Sequence, residues 1–261
     1  MNFAAKDVSF SYSRQRNILN GISFSMQQGD MLCLLGPNGT GKTTLLRCLL
    51  GIRRPTHGTI LVDGRDIFSM KPQERAGYIA YVPQFTSLAF SYEVQDVVLM
   101  GRTSKLASGA APTKKDREAV EEALSRLHIE RLAKNRFPEL SGGEKQMVLV
   151  ARALAQASSI LIMDEPAASL DYGNQIRILK VARSLTEEGY AILMTSHQPD
   201  HAFWACNRVA LMKDGRIYKE GSPEAVITSE NLTSLYETPV CVADARLNEF
   251  GSTAKASIPL F

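Results

Sequence analysis

The chain has 261 residues, 44% hydrophobic and 22% charged, and carries a formal net charge of +3 from 30 Lys and Arg against 27 Asp and Glu. That size allows a sizeable core, as one large domain or a core with a subdomain, while the small, evenly spread charge argues against a nucleic-acid partner. No apolar run reaches membrane-spanning length, Met1-Asn-Phe-Ala-Ala-Lys lacks the features of a signal peptide, and Cys33, Cys48, Cys206 and Cys241 show no C-x-x-C spacing, so they read as reduced core residues in the cytosol.

Residues 1–30 alternate in strand fashion (Val8, Phe10, Tyr12, then Ile22, Phe24, Met26), which suggests antiparallel strands. Met31–Leu35 reads as a buried strand and Thr43–Leu50 as a helix. Between them Gly36-Pro37-Asn38-Gly39-Thr40-Gly41-Lys42-Thr43-Thr44 matches G-x-x-x-x-G-K-[ST]. In that motif the glycines let backbone N–H groups close around nucleotide phosphates, the lysine reaches the outer phosphates and the next hydroxyl ligates Mg²⁺. A plain glycine turn would not need Lys-Thr there. The helix opening beneath the loop adds free N–H donors and a partial positive charge.

Asp63-Gly64 is a hairpin signal, repeated at Asp214-Gly215. Between Gln84 and Ser141 the pattern turns helical. After an Ala/Gly/Ser-rich loop containing Pro112, the residues Ala119, Val120, Ala123, Leu124 and Leu127 form one face, with Glu118, Glu121 and Glu122 outside. Ser141-Gly142-Gly143-Glu144 precedes a helical run over Lys145–Gln156 and fits a capping box. Two consecutive glycines cost helix stability and give a simple cap nothing, yet they allow a ligand to approach the backbone. Capping and phosphate binding both remain open for this segment.

Ile160–Met163 is a buried-strand run ending in Asp164-Glu165-Pro166, which places two carboxylates at the ligand crevice of an open α/β sheet. Neighbouring side chains on a strand point apart, so Asp164 suits Mg²⁺ through water and Glu165 suits water activation; the alternative is a charged strand end feeding a proline turn. Ala191–Met194 delivers Thr195-Ser196-His197 to the same sheet edge, where His197 is placed to donate to a terminal phosphate. His197 and His201 have the spacing of a metal pair, but Pro199 starts a helix after His197, and Gln198 stands where a metalloprotease needs Glu.

In chain order, Tyr12, the phosphate loop, Gln84 in Tyr81-Val82-Pro83-Gln84, Leu140-Ser141-Gly142-Gly143-Glu144, Asp164-Glu165, Ser169-Leu170-Asp171 and His197 resemble the ATP-binding subunit of an ABC transporter. The resemblance covers roughly residues 1–240. It implies an α/β fold: a P-loop NTPase core with a mainly parallel sheet, an antiparallel β subdomain, and a helical subdomain inserted at about 85–155, followed by a short C-terminal tail at 241–261. It also implies a head-to-tail homodimer with each ATP between the phosphate loop of one copy and Ser141–Gly143 of the other.

Carried over by position, Tyr12 stacks on adenine, and the 36–44 loop with Lys42 and Thr43 holds phosphate and Mg²⁺. Gln84 contacts Mg²⁺ and the attacking water and reports to the membrane partner. Glu165 is the general base, Asp171 organises the dimer contact and His197 grips the γ-phosphate. Each has a plainer alternative: Tyr12 as an edge-strand aromatic, Gln84 as a strand-end polar residue, Asp171 as a helix N-cap. Three departures stand out: Glu144 where Gln is commonest, Ala167-Ala168 in place of Thr-Ser, and Gln-Pro-Asp after His197. Glu144 should cost little, since most of that contact is backbone and serine, while Ala167-Ala168 removes two hydroxyls near the dimer interface but no catalytic group.

Val94–Arg102 and Gly221–Tyr236 resemble the corresponding stretches of metal-chelate importer ATPases, a branch serving iron-siderophore, haem, cobalamin and molybdate. The alternative for Val94–Arg102 is packing of the helical subdomain. The implied partners are a multi-span permease dimer and, through it, a periplasmic or extracellular substrate-binding protein, with the ATPase peripheral on the cytoplasmic face of the cell membrane. The rival expectation is a soluble ABC ATPase in cofactor or cluster assembly.

Overall fold

Long strands with alternating apolar residues open the chain. In the computed structural model, which describes residues 1–13, 16–84, 86, 90–107, 110–247 and 252–260, β1 (Asn2–Ser13) pairs antiparallel with β2 (Arg16–Gln27), Phe3 opposite Met26. After β3 (Met31–Leu35) and α1 (Lys42–Leu49), β4 (His57–Val62) and β5 (Arg65–Asp66) complete a four-stranded sheet in the order β2-β1-β4-β5. The Asp63-Gly64 turn is the predicted hairpin. Both residues have positive φ (+48° and +81°), the conformation that matches strand twist in a two-residue turn.

Then follow α2 (Pro72–Tyr78), β6 (Ile79–Val82), α3 (Val94–Leu99), α4 (Lys114–Arg126), α5 (Gly142–Ala155), β7 (Ile160–Met163), α6 (Tyr172–Glu187), β8 (Ala191–Ser196), α7 (Pro199–Ala205), β9 (Arg208–Lys213) and β10 (Arg216–Gly221). The chain closes with α8 (Pro223–Val226), α9 (Ser229–Tyr236), β11 (Val240–Leu247) and β12 (Ser252–Pro259). The second sheet has the order β10-β9-β3-β8-β7-β6, parallel except at β10.

The parallel strands are apolar runs because both faces are covered. Cys33, Leu35, Leu161, Met163, Ile192 and Met194 face the helices, while Leu32, Leu34, Ile160, Ile162 and Leu193 face α1 and the antiparallel sheet. The helix-side cluster runs without a break from the sheet into α3, α4 and α5, so these helices share the core of the sheet. Beyond α9 a hairpin follows: β11 and β12 pair in continuous register from Val240↔Pro259 to Leu247↔Ser252, leaning on α7 and α9. Residues 85, 87–89 and 108–109 of the expected insert, and 248–251 and 261 of the tail, lie outside the described residues.

This topology positions the site. Strands β3, β8 and β7 are adjacent and parallel, with Leu35 level with Ser196 and Met163 level with Met194. The loops that leave their C-terminal ends, at 36–41, 164 and 197, therefore emerge side by side.

Val94–Arg102 turns out to pack the helices together. Gly101 lies so close to α5 that a Cβ would sit 2.1 Å from the Arg152 carbonyl oxygen. Beside it, buried Arg102 bonds the Asp116 carboxylate at 2.9 Å and the Ala155 carbonyl at 2.9 Å. Backbone cannot yield as a flexible side chain does, so Gly101→Ala should lower unfolding stability by about 1–3 kcal/mol, the usual cost of overpacking. Urea denaturation measures it, and a midpoint equal to wild type would contradict this packing account.

Candidate functional site

The loop leaving β3 is shaped by its glycines. Gly39 and Gly41 take φ of +82° and +101°, which side chains rarely tolerate, and a Cβ on Gly36 would lie 2.3 Å from the Met212 carbonyl. Gly41 caps α1 without a side-chain hydrogen bond, so the first N–H groups of that helix are left for a ligand. Asn38 and Thr43 are exposed, whereas Lys42 is buried. Its ammonium donates to the Gly36 and Pro37 carbonyls at 2.6 and 3.0 Å, drawing the loop around itself, and Thr40 Oγ1 donates to Pro37 at 3.0 Å. Burial pushes the Lys42 pKa down, opposed by the carboxylates of Glu165 and Asp164.

Those carboxylates come from the end of β7. Asp164 is nearly buried, and desolvation pushes its pKa up against the hydrogen bond from Thr195. Glu165 adopts φ +44°, a strained conformation for this residue type, costing of order 1–3 kcal/mol and typical of functional sites. One fully buried hydroxyl sets both: Thr195 Oγ1 donates to Asp164 Oδ1 at 2.8 Å and accepts from the Glu165 N–H at 2.8 Å. The Tyr81 hydroxyl reaches Asp164 Oδ2 at 3.5 Å. The Glu165 side chain then meets three others: Lys42 Nζ at 3.7 Å, Gln84 Nε2 at 3.4 Å and His197 Nδ1 at 3.2 Å.

Lys42, Gln84 and His197, separated widely in sequence, thus converge on the Glu165 carboxylate. Sequence reasoning gave no role to Thr195 or Tyr81. The available signal for Thr195 was a hydroxyl ending an otherwise apolar strand next to the Asp-Glu strand. The His197–His201 metal pair is absent: His201 is buried against Ser196 Oγ at 3.2 Å and Gln175 Oε1 at 3.4 Å, and burial lowers its pKa to about 4.

Other predicted positions lie around this centre. Tyr12 is 53% exposed on β1, edge-on to Phe10, with the Arg53 guanidinium 5.9 Å from its ring centroid and Arg47 donating to its hydroxyl at 3.3 Å. Ser141 and Glu144 form the capping box at the start of α5: Ser141 Oγ accepts from the Glu144 N–H at 3.3 Å and donates to Glu144 Oε2 at 2.8 Å. Arg131 pairs with the other Glu144 oxygen at 3.0 Å. The hydrogen bonds from Ser141 hold the Glu144 carboxyl below its ordinary pKa. Asp171 is the N-cap of α6, accepting from the Asn174 N–H at 3.0 Å and from its side-chain amide at 2.6 Å. That tethered amide sits where a Cβ on Gly143 would be, 2.4 Å away, while Gly142 has room. Gly143 therefore has a packing reason within one chain, and exposed Gly142 has none.

Comparison with known proteins places the chain in a family. The model of the ABC transporter family matches residues 19–168. A "probable iron chelatin transport ATP-binding protein" of Helicobacter pylori is 38% identical over 242 residues, 92% of this chain and 94% of its own length. The molybdate import ATP-binding protein MolC of Haemophilus influenzae is 34% identical over 247 residues, 94% of this chain and 92% of its own. A solved chain from an inward-facing ABC transporter assigned to the metal-chelate type superposes with a TM-score of 0.88 at 34% identity, covering 99% of this chain and 97% of that one. Among the described residues no helix is long and apolar enough to cross a membrane. The chain belongs to the ABC transporter family as its ATP-binding subunit, an ATPase whose hydrolysis of ATP is coupled to transport.

Proposed function

We propose that this ATPase energises import of a metal chelate or metal oxyanion, of the iron-siderophore, haem, cobalamin or molybdate kind, through a membrane permease. The reading places it on the cytoplasmic face of the cell membrane as a homodimer on a permease dimer, served from outside by a substrate-binding protein. The similarity to iron chelatin and molybdate ATP-binding proteins along nearly the whole chain supports the cargo class.

The observation that carries the mechanism is the convergence of Lys42, Gln84 and His197 on Glu165. ATP phosphates fit the loop because its helix start is uncapped and its lysine is held by backbone carbonyls that a phosphate replaces. Thr43, Gln84 and Asp164 offer oxygen donors that suit Mg²⁺, and would hold it. Bound there, the ion neutralises charge on the outer phosphate oxygens.

The chain's own groups do the rest. Glu165 orients water in line with the γ-phosphorus and takes its proton, in a carboxylate position fixed by Thr195. Lys42 and His197 stabilise charge on the equatorial oxygens, since phosphoryl transfer depends mainly on positioning and electrostatics. Ser141 and the bare backbone at Gly142 and Gly143 close the site from the opposite copy. Gln84, touching Glu165 and next in sequence to a segment packed on α5, passes the state of the site toward the permease: Gln146 of α5 donates to the Pro83 carbonyl at 3.3 Å.

Two variants test this reading. Glu165→Gln should keep ATP binding while lowering hydrolysis by about two to four powers of ten, the usual worth of a general base, and should accumulate as an ATP-bound dimer on size exclusion. Hydrolysis at the wild-type rate would refute the assignment of Glu165. Ser141→Arg should abolish hydrolysis while the monomer still binds a fluorescent ATP analogue. Parallel loss of binding would instead point to a site built within one chain.

A further inference from the structure

The C-terminal element, which lies beyond the region matched by the family model, reaches back to the site. His197 directly follows β8, and Gln198 alone separates it from Pro199 at the start of α7. The peptide unit joining His197 to Gln198 is held at both polar groups. Its carbonyl accepts from the Tyr236 hydroxyl at 2.8 Å, and its N–H donates to Ser196 Oγ at 3.0 Å.

Tyr236 is itself fixed. It is the last residue of α9, with Glu237 at φ +56° ending the helix. Lys213 of β9 donates to the Ser234 carbonyl at 2.7 Å and pairs with Glu237 at 2.8 Å, tying the helix end to the sheet. Burial pushes the Tyr236 phenol pKa up, so it remains a donor at neutral pH.

The β11–β12 hairpin takes a second hold on the same turn. Ser257 donates from its N–H and its hydroxyl to Asp200 Oδ1 at 2.9 and 3.1 Å. The hairpin is joined to α9 by the Val242 N–H to Ser229 Oγ at 2.8 Å. Helix and hairpin therefore grip the His197 turn from the residue itself and from the first turn of α7.

We propose that Tyr236 is a positioning residue for ATP hydrolysis, holding His197 against Glu165 and the terminal phosphate through the His197 carbonyl, with the C-terminal hairpin as its brace. The proposal rests on the role given to His197 above. With its peptide pinned on both sides, the imidazole starts from a fixed Cα, and Nδ1 stays 3.2 Å from Glu165 Oε2. Removing the phenol oxygen frees the carbonyl, lets the peptide rotate and lowers the fraction of molecules with the ring in place. The hydrogen bond of Tyr236 goes to His197 and not to the 36–44 loop, where most of the phosphate contacts lie, so turnover falls much more than binding does.

The experiment is steady-state and single-turnover hydrolysis by the full chain. Tyr236→Phe should lower kcat about five- to tenfold, the scale of one lost hydrogen bond, with KM for ATP within about twofold. Thermal melting of the same sample reports folding. Added to His197→Ala, the substitution should lower the rate no further. Asp200→Ala, which cuts the grip of the hairpin and leaves α9 intact, should lower kcat at least about twofold. Unchanged kcat in both single variants, or the same fold-loss with and without His197, would overturn the proposal. Wild-type hydrolysis by His197→Ala would overturn the role of His197 itself, a separate failure.

Discussion

The buried hydroxyl of Thr195 is the constraint on which the rest of the site depends. It lies at the end of β8, between Asp164 and the backbone of Glu165, and hydrogen-bonds to both at 2.8 Å. Glu165 needs such a partner because φ +44° is unfavourable for it. One net hydrogen bond contributes about 1 kcal/mol, comparable to part of that strain, and the packed strands on either side hold the remainder. The outcome is a carboxylate that groups from three other segments reach. Parallel pairing of β3, β8 and β7 is what brings those segments to one edge.

Around this centre, capping interactions place the outer residues. Ser141–Glu144 and Asp171–Asn174 are ordinary helix caps by geometry, and the second also sets the Asn174 amide against Gly143. Capping and ligand binding are therefore compatible readings of one segment. The carboxylate at Glu144 is accommodated by Arg131, which pairs with the oxygen that Ser141 leaves free. Gly142 is exposed and unobstructed, so its lack of a side chain serves nothing within one chain. That supports an arrangement in which a second copy approaches it.

Much of this was legible in the sequence, for identifiable reasons. Strands buried on both faces must be apolar runs, so Met31–Leu35, Ile160–Met163 and Ala191–Met194 declared themselves. Asp-Gly dipeptides specify turns with two positive φ values, found at both 63–64 and 214–215. The C-terminal hairpin was not legible as structure: β11 and β12 are rich in Ala and Ser and alternate weakly. Long-range hydrogen bonds were equally hidden. Thr195 and Asp164 are 31 positions apart, and Tyr236 and His197 are 39 apart, and no local pattern encodes such a pairing. Motifs named the candidate site residues, while the contacts that orient them emerged from topology.

The central claim is that each nucleotide lies between the phosphate loop of one copy and the Ser141–Gly143 segment of another. Disulfide cross-linking tests it most directly. Asn38 and Gly142 are both exposed, and a Cβ at Gly142 meets only ordinary contact with Leu170 at 3.7 Å. Copies carrying Asn38→Cys are mixed with differently tagged copies carrying Gly142→Cys, both in the Glu165→Gln background, and oxidised with and without Mg-ATP. The account predicts a cross-linked pair joining the two tags, formed with ATP and lost when the nucleotide is withdrawn. Absence of that pair from a mixture that has bound ATP would contradict it.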